Sequence, residues 1–352
     1  MRTGKLQSAG YRTRTRWRAA IAWLLVSGAA LALLAGWLTP IRVTESPWEA
    51  RWVWAAFMVR TFTFHAGLAV LAVSIYAAAF KLLWKPALAC VPALVATLGP
   101  AAWAFIKPRP APIPGPTLTV VSCNLLVGSG SEHAAAEYVL GLDPDVVFFQ
   151  EYTPEAHGVL SARLGAKYPH IVTGPREDAF GQAVYSKLEP RETQLFPTPA
   201  KSARAENRQR ASPSEPQIRC IVTFDGQEVV LQNVHDMPPS NPALLQDQLR
   251  YFEWLEEFTT SEARPVILAG DFNTTPNTTA MIRLEEQGYR NTHTLAGRGR
   301  GSTWVDKTWL RHLPGVRIDH VLLSRGLTCD AAEVGPSIGS DHRPIMAKVG
   351  FR

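Results

Sequence analysis

The feature that most constrains this chain is where its apolar residues lie. Residues 19–38 contain no charge, residues 61–80 only His65, and residues 86–106 again none, so three runs of 20, 20 and 21 residues are almost purely apolar. Each reaches the roughly 20 residues a helix needs to cross the hydrocarbon core of a bilayer. Residues 117–352 look different, with short apolar stretches alternating with polar loops as in a water-soluble domain. The chain is therefore expected to divide into an N-terminal all-α region of three transmembrane helices (19–38, 61–80, 86–106) and a C-terminal globular domain over 118–352. A buried helical domain is the alternative for residues 19–106. The first run follows a basic tail, as a signal peptide would, but it is longer than a signal core and more spans follow, so it reads as retained.

Charge follows the same division. Of the formal +6, residues 1–18 supply six bases and no acid, residues 19–116 a further +5, and residues 117–352 carry −5. A basic pI therefore reports the flanks of membrane segments and does not point to a nucleic-acid-binding surface. An Arg-rich tail stays in the cytoplasm. Three crossings would then place the C-terminal domain on the extracytoplasmic side of a multi-pass protein of the cytoplasmic membrane, and two would place it inside. Cys90, Cys123, Cys220 and Cys329 have no CxxC spacing, so neither zinc nor a disulfide framework is indicated, although one pair could be oxidised outside the cytoplasm.

Residues 107–117, KPRPAPIPGPT, hold five prolines and predict an extended spacer. Beyond it, LTVVSCNLL reads as a strand, SEHAAAEYVLGL as a helix and DVVFFQEY as a strand, followed by a helix over 154–168. Residues 217–236 read as a hairpin turning at Asp225-Gly226, residues 242–259 as an amphipathic helix capped by Asn241, and residues 278–288 as a helix. VILAG, RIDHVLLS and HRPIMAKV complete the strands. Many strands with few helices argue for two packed sheets with helices outside. Residues 196–216 and 296–303 read as long loops.

Polar residues recur where these apolar strands end: Asn124 after TVVSC, Glu151 after DVVFFQ, His235 after VVLQNV, Asp271 and Asn273 after VILAG, and Asp341-His342 before RPIMAKV. Asp319 and His320 interrupt a further strand. Such groups beside buried strands are costly unless paired or bound to a metal. Singly, each has an ordinary explanation in turn chemistry, helix capping or a satisfied core histidine. Together, at corresponding strand ends, they predict a site.

These motifs, CNLL, FFQE, NVHD, GDFN (270–273), RIDHVLLS (317–324) and GSDHRPI (339–345), make residues 117–351 resemble the endonuclease/exonuclease/phosphatase, or DNase I-like, family. The resemblance implies a four-layered α/β sandwich that hydrolyses phosphate esters with magnesium, manganese being a possible substitute. It implies Glu151 as principal metal ligand with Asn124 and Asp341 nearby, and His342 as the catalytic histidine oriented by Asp319. Asp271 would orient or deprotonate water, and Asn273 and His235 would donate to phosphoryl oxygens. Which of Asp271 and His342 is the base is left open. Asp236 departs from the common pattern, and His235 stands where abasic-site endonucleases have tyrosine.

The substrate expected is a phosphodiester, nucleic acid or lipid headgroup, with the bilayer met through the N-terminal helices and no protein partner inferred. Candidate substrate-binding cations lie on loops: Lys201, Arg204, Arg208 and Arg210, then Arg298, Arg300, Lys307 and Arg311, interleaved with Trp304 and Trp309. A nuclease is the leading expectation. A phospholipid or sphingomyelin phosphodiesterase or a phosphomonoesterase is the enzymatic alternative, and a binding module on the same fold the non-enzymatic one.

Overall fold

A computed structural model describes residues 2–79, 84–197, 216–306 and 313–352. Lys201, Arg204, Arg208, Arg210, Lys307, Trp309 and Arg311 lie outside these. The chain forms two compact units, residues 1–41 with 51–106 and residues 42–50 with 107–352.

The first unit is helical. Its opening helix α1 (Arg2–Leu38) contains the stretch Trp17–Leu38, which is long and apolar enough to cross a membrane and only 11% buried. The expected second run is organised differently. Helix α2 (Pro47–Thr61) precedes α3 (Thr63–Ala79), and the two meet at a bend of 70°. Arg60, in the last turn of α2, donates to the carbonyls of Gly36, Trp37 and Thr39 at 3.0, 2.9 and 3.1 Å. It so satisfies backbone groups that the end of a helix leaves unpaired. The expected third run is divided into α4 (Trp84–Ala89) and α5 (Val91–Ile106) at Cys90. Among the described residues a single helix qualifies as a span by length and apolarity, or two if the bent pair counts as one.

The second unit is mixed α/β. One sheet takes β1 (Leu118–Asn124), β2 (Val146–Gln150), β3 (His170–Gly174), β4 (Gln182–Ser186), β11 (Leu327–Val334) and β12 (Ile345–Phe351), in the order β11-β12-β1-β2-β4-β3. The other takes β5 (Pro190–Pro197), β6 (Pro216–Phe224), β7 (Gln227–His235), β8 (Val266–Asp271), β9 (Arg290–Asn291) and β10 (Asp319–Leu323), in the order β5-β6-β7-β8-β10-β9. The β6–β7 hairpin turns at Asp225 (φ 49°) and Gly226 (φ 73°), both left-handed as a tight two-residue turn demands.

Between the sheets lies a core that includes Val120, Phe148 and Val184 from one and Leu231, Ile267 and Val321 from the other. Helices α6 (Glu132–Leu142) and α7 (Pro154–Leu164) cover the outer face of the first sheet. The second is covered by α8 (Pro242–Ser261) and α9 (Thr279–Glu286). Asn241 caps α8 as expected, its side-chain oxygen accepting from Ala243 and Leu244.

The interface between the sheets is not uniformly apolar. Gln150 Nε2 donates to Asn233 Oδ1 across it at 2.7 Å, and Asn233 Nδ2 donates back to the Phe149 carbonyl at 3.0 Å. Fully buried amides of this kind cost stability unless satisfied, and here they tie one sheet to the other at the end nearest the polar strand ends. The proline-rich segment has no regular structure and is fastened to the domain. Lys107 Nζ donates to the His293 and Thr294 carbonyls, and Ile113 N to Asp330 Oδ2 at 3.0 Å. All four cysteines are free and buried.

Candidate active site

Strand register brings the polar ends together. On the second sheet His235 of β7 pairs with Asp271 of β8 in parallel register, and Asp271 pairs with Asp319 of β10 in antiparallel register, so three charged or ionisable residues form one row. Gly270 allows that row to close up: at φ 150°, a Cβ there would stand 1.8 Å from the Val234 carbonyl oxygen. On the first sheet Asn124 ends β1 opposite Gln150 of β2, and Glu151 follows at once with φ 54°.

Asn124 joins the two halves. Its Nδ2 donates to Glu151 Oε1 at 3.2 Å and to Asp271 Oδ2 at 3.1 Å, while its Oδ1 accepts from Leu126 N. The other Glu151 oxygen accepts from Val127 N at 2.9 Å. Asn273 N donates to Asp271 Oδ1 at 2.8 Å, and the Asn273 side-chain amide is engaged with the Asp236 carbonyl, also at 2.8 Å. Asp236 is itself buried, with Oδ1 accepting from Met237 N.

His342 completes the row. Its Nδ1 lies 2.9 Å from Asp319 Oδ2, and its Nε2 is directed between Asp271 Oδ2 at 3.7 Å and Asp341 Oδ1 at 4.0 Å. Burial alone would lower its pKa, but the carboxylates of Asp319, Asp271 and Asp341 outweigh burial and hold it near 10, so the imidazole is cationic at neutral pH. Asp271 is raised to about 7, first by burial and then by the charges of Asp319 and Glu151, with His342 opposing. His235 is lowered to about 4, by burial first and then by His342, and stays neutral. Asp271, Asp319 and His342 each present a ligand atom within 4.8 Å of the others.

All eight of the expected catalytic and metal residues have thus been located, and hydrogen bonds, ion pairs or strand pairing link them in one cluster. Arg298 is exposed, and the Arg300 guanidinium donates to the Gly315 carbonyl. Trp304 does touch it, through an indole N–H donated to Asp341 Oδ2 at 3.2 Å. Supporting groups that the sequence reading passed over include Thr303, whose Oγ1 accepts from the Ile318 and Asp319 amides, and Ser340, whose Oγ accepts from His342 N. Ser340 was findable, because a serine two residues before a site residue commonly holds its N–H.

The sequence model of the Endonuclease/Exonuclease/phosphatase family matches residues 121–342, more than half of the chain. The chain belongs to this family. Among solved structures, the endonuclease/exonuclease/phosphatase from Beutenbergia cavernae is 21% identical, with a TM-score of 0.55 over 67% of this chain and 72% of that one. Humanized D. rerio TDP2 is 18% identical, with a TM-score of 0.53 over 67% of this chain and 99% of the other. D. rerio TDP2 complexed with single-strand DNA product is 17% identical, with the same TM-score, over 67% of this chain and all of the other. At these identities the structures show the shared fold. No curated protein matches this chain. As an endonuclease/exonuclease/phosphatase family member, the protein is a hydrolase acting on ester bonds.

Proposed function

We propose that this family member is a membrane-anchored, divalent-cation-dependent nuclease that cleaves phosphodiester bonds by in-line attack of water. The observation that carries the reading is the row of His235, Asp271 and Asp319, closed by His342 and joined to Glu151 through Asn124.

A hard cation fits the opposite side of this row. Asp341 Oδ1 is buried with no hydrogen-bond partner, and Glu151 is held only by neutral donors, without an ion pair among the described residues. Carboxylate and amide oxygens are the donors magnesium prefers, and Asn124 Oδ1, which accepts one hydrogen bond from Leu126 N, keeps a second lone pair for it. Glu151, Asp341 and Asn124 would hold it, and when bound it would supply Lewis-acid stabilisation of phosphoryl charge. The alternative grouping of Asp271, Asp319 and His342 is already internally satisfied by the His342–Asp319 hydrogen bond.

The protein groups then divide the work. Asp271, with a pKa near 7, is the base that orients the attacking water and takes its proton. His342, cationic and locked by Asp319, donates from Nε2 to the phosphoryl oxygens, where negative charge grows in the transition state. Neutral His235 donates on the same side, and one N–H of Asn273 is left for the same task. Nucleic acid is favoured as substrate because a structural neighbour, D. rerio TDP2, is seen with a single-strand DNA product. Arg298 and Arg300 would follow the phosphate backbone, and Trp304 would offer its indole face to a base.

Membrane anchoring is supported by the exposed apolar surface of α1, with Leu24, Leu31 and Leu38 at 73%, 66% and 76% exposure. The largely apolar runs of α3 and α5 would add two further crossings. The extracytoplasmic reading is supported by residues 42–50, which belong to the catalytic unit: Thr44 N donates to Gln246 on α8, and Glu45 lies 3.7 Å from Arg250.

The test is turnover by the full chain in detergent, with magnesium or with EDTA, on plasmid DNA and on sphingomyelin vesicles. Magnesium-dependent nicking that disappears in Asp271→Asn is expected. Headgroup release without nicking would replace the nuclease reading with a lipid phosphodiesterase, and turnover unaffected by EDTA would remove the cation from it.

A further inference from the structure

The segment 303–306 grips three residues of the site at once. Thr303 Oγ1 accepts the amide of Asp319 at 3.2 Å, the Trp304 backbone bridges both Val316 and His342, and Asp306 N donates to the Asp341 carbonyl at 2.8 Å. Arg343 N returns to the Thr303 carbonyl at 2.9 Å. The indole of Trp304 is therefore carried on a backbone frame that is itself pinned to both sides of the dyad.

From that frame the indole Nε1–H reaches Asp341 Oδ2 at 3.2 Å. The partner oxygen, Oδ1, is buried and without a hydrogen bond, its charge met by His342 Nε2 at 4.0 Å. Leaving a buried carboxylate oxygen without a hydrogen bond is costly. A second donor in its place would fill a coordination position, whereas an indole offers a single neutral N–H in a fixed direction and can satisfy one oxygen only. The asymmetry leaves Asp341 with one oxygen held and one presented.

We propose that Trp304 is a positioning residue for the cation site: its indole N–H fixes the rotamer of Asp341 so that Oδ1 faces the divalent ion. This rests on the reading above, in which Glu151, Asn124 and Asp341 hold the ion. Groups that orient a metal ligand without touching the metal commonly change affinity by about 10- to 100-fold when removed. Trp304→Phe keeps a single aromatic ring and deletes the donor, so the expected result is a Kd for manganese weakened by about tenfold or more.

The experiment titrates Mn2+ into the full chain in detergent and reads free Mn2+ by electron paramagnetic resonance, which needs no substrate and no turnover. Wild type, Glu151→Gln, Trp304→Phe, Trp304→His and Trp304→Leu are compared, with the melting temperature of each measured in EDTA. The proposal expects binding by wild type, its loss in Glu151→Gln, a weakened Kd in Trp304→Phe at near-unchanged melting temperature, and partial recovery in Trp304→His, whose ring keeps an N–H. Wild-type affinity in Trp304→Phe beside loss in Glu151→Gln would overturn the positioning role and leave the cation site standing. Failure of wild type to bind would remove the cation reading and this inference with it. If Trp304→Phe does not fold, Trp304→Leu decides: a folded Leu variant, which has no donor, binding with wild-type affinity would overturn the proposal.

Discussion

At the scale of single residues, the site is held together by charges that the fold has moved away from their ordinary ionisation. Asp271 has a folded-state pKa raised from 3.8 to about 7 by burial, so the native protein holds a proton that the unfolded chain has released. The stability linked to that proton is fully present below pH 3.8 and is lost as pH rises through about 7. His342 acts with the same sign, its contribution present below 6.5 and lost through about 10. Because the two lie 3.7 Å apart they titrate jointly. Below about 6.5 the lowered pKa of His235 acts with the opposite sign, so in EDTA the wild-type melting temperature is expected to fall only from about pH 7 to pH 10, where His342 loses its contribution. Asp271→Asn imitates the protonated acid, so it should melt higher than wild type at pH 8 by a few degrees, with the gap closing toward pH 4. Nicking by the same variant should drop by about 10³-fold or more, the usual scale for loss of a general base. A variant that melts lower than wild type at pH 8 would contradict the account. Most of these residues were legible in the sequence, because a carboxylate or imidazole at the end of an apolar strand has few inexpensive reasons to be there. The indole of Trp304 on Asp341 was not legible. It joins residues 37 positions apart through a loop whose path no periodicity encodes.

At the scale of elements, strand register converts that list into a site. His235, Asp271 and Asp319 meet only because β7 and β8 are parallel and β10 antiparallel to β8 in one particular alignment. A slip of one residue would turn every side chain to the other face. Gly270 is the position where the alignment is tightest, since a side chain there would collide with the β7 backbone at Val234. Gly270→Ala should accordingly either fail to fold or lose thermal stability far beyond an ordinary glycine substitution, measurable as a melting temperature lowered by more than about 6 °C, at about 2–4 °C per kcal/mol for a domain this size. An unchanged melting curve would mean that the strands can part there at no cost. Alternating apolar residues and the Asp225-Gly226 turn made the strands readable, but pairing order was not, because it depends on contacts between segments far apart. Helix α2 was missed altogether. Glu49, Arg51 and Arg60 interrupt the apolar pattern of its stretch, whereas Arg60 turns inward to the carbonyl end of α1.

At the scale of the whole molecule, the decisive contact is the docking of residues 42–50 within the catalytic unit. Thr44 N donates to Gln246 Oε1 at 2.7 Å, and the Arg250 guanidinium lies 3.7 Å from Glu45. A segment that belongs to a folded domain cannot be on the other face of a bilayer from it. If α1 crosses once, the chain between residues 51 and 106 must cross an even number of times, which agrees with α3 and α5 as a returning pair and excludes a single passage. The expectation can be checked with single cysteines, because the four native ones are buried. Ser46→Cys and Arg352→Cys, both at exposed positions, should react with a membrane-impermeant maleimide in intact spheroplasts of an expression host, whereas Lys5→Cys should react only after permeabilisation. Labelling of positions 46 and 352 from opposite sides would break the docking argument. Labelling of both only after permeabilisation would keep the docking and invert the topology, putting the hydrolase in the cytoplasm and removing external nucleic acid as its substrate.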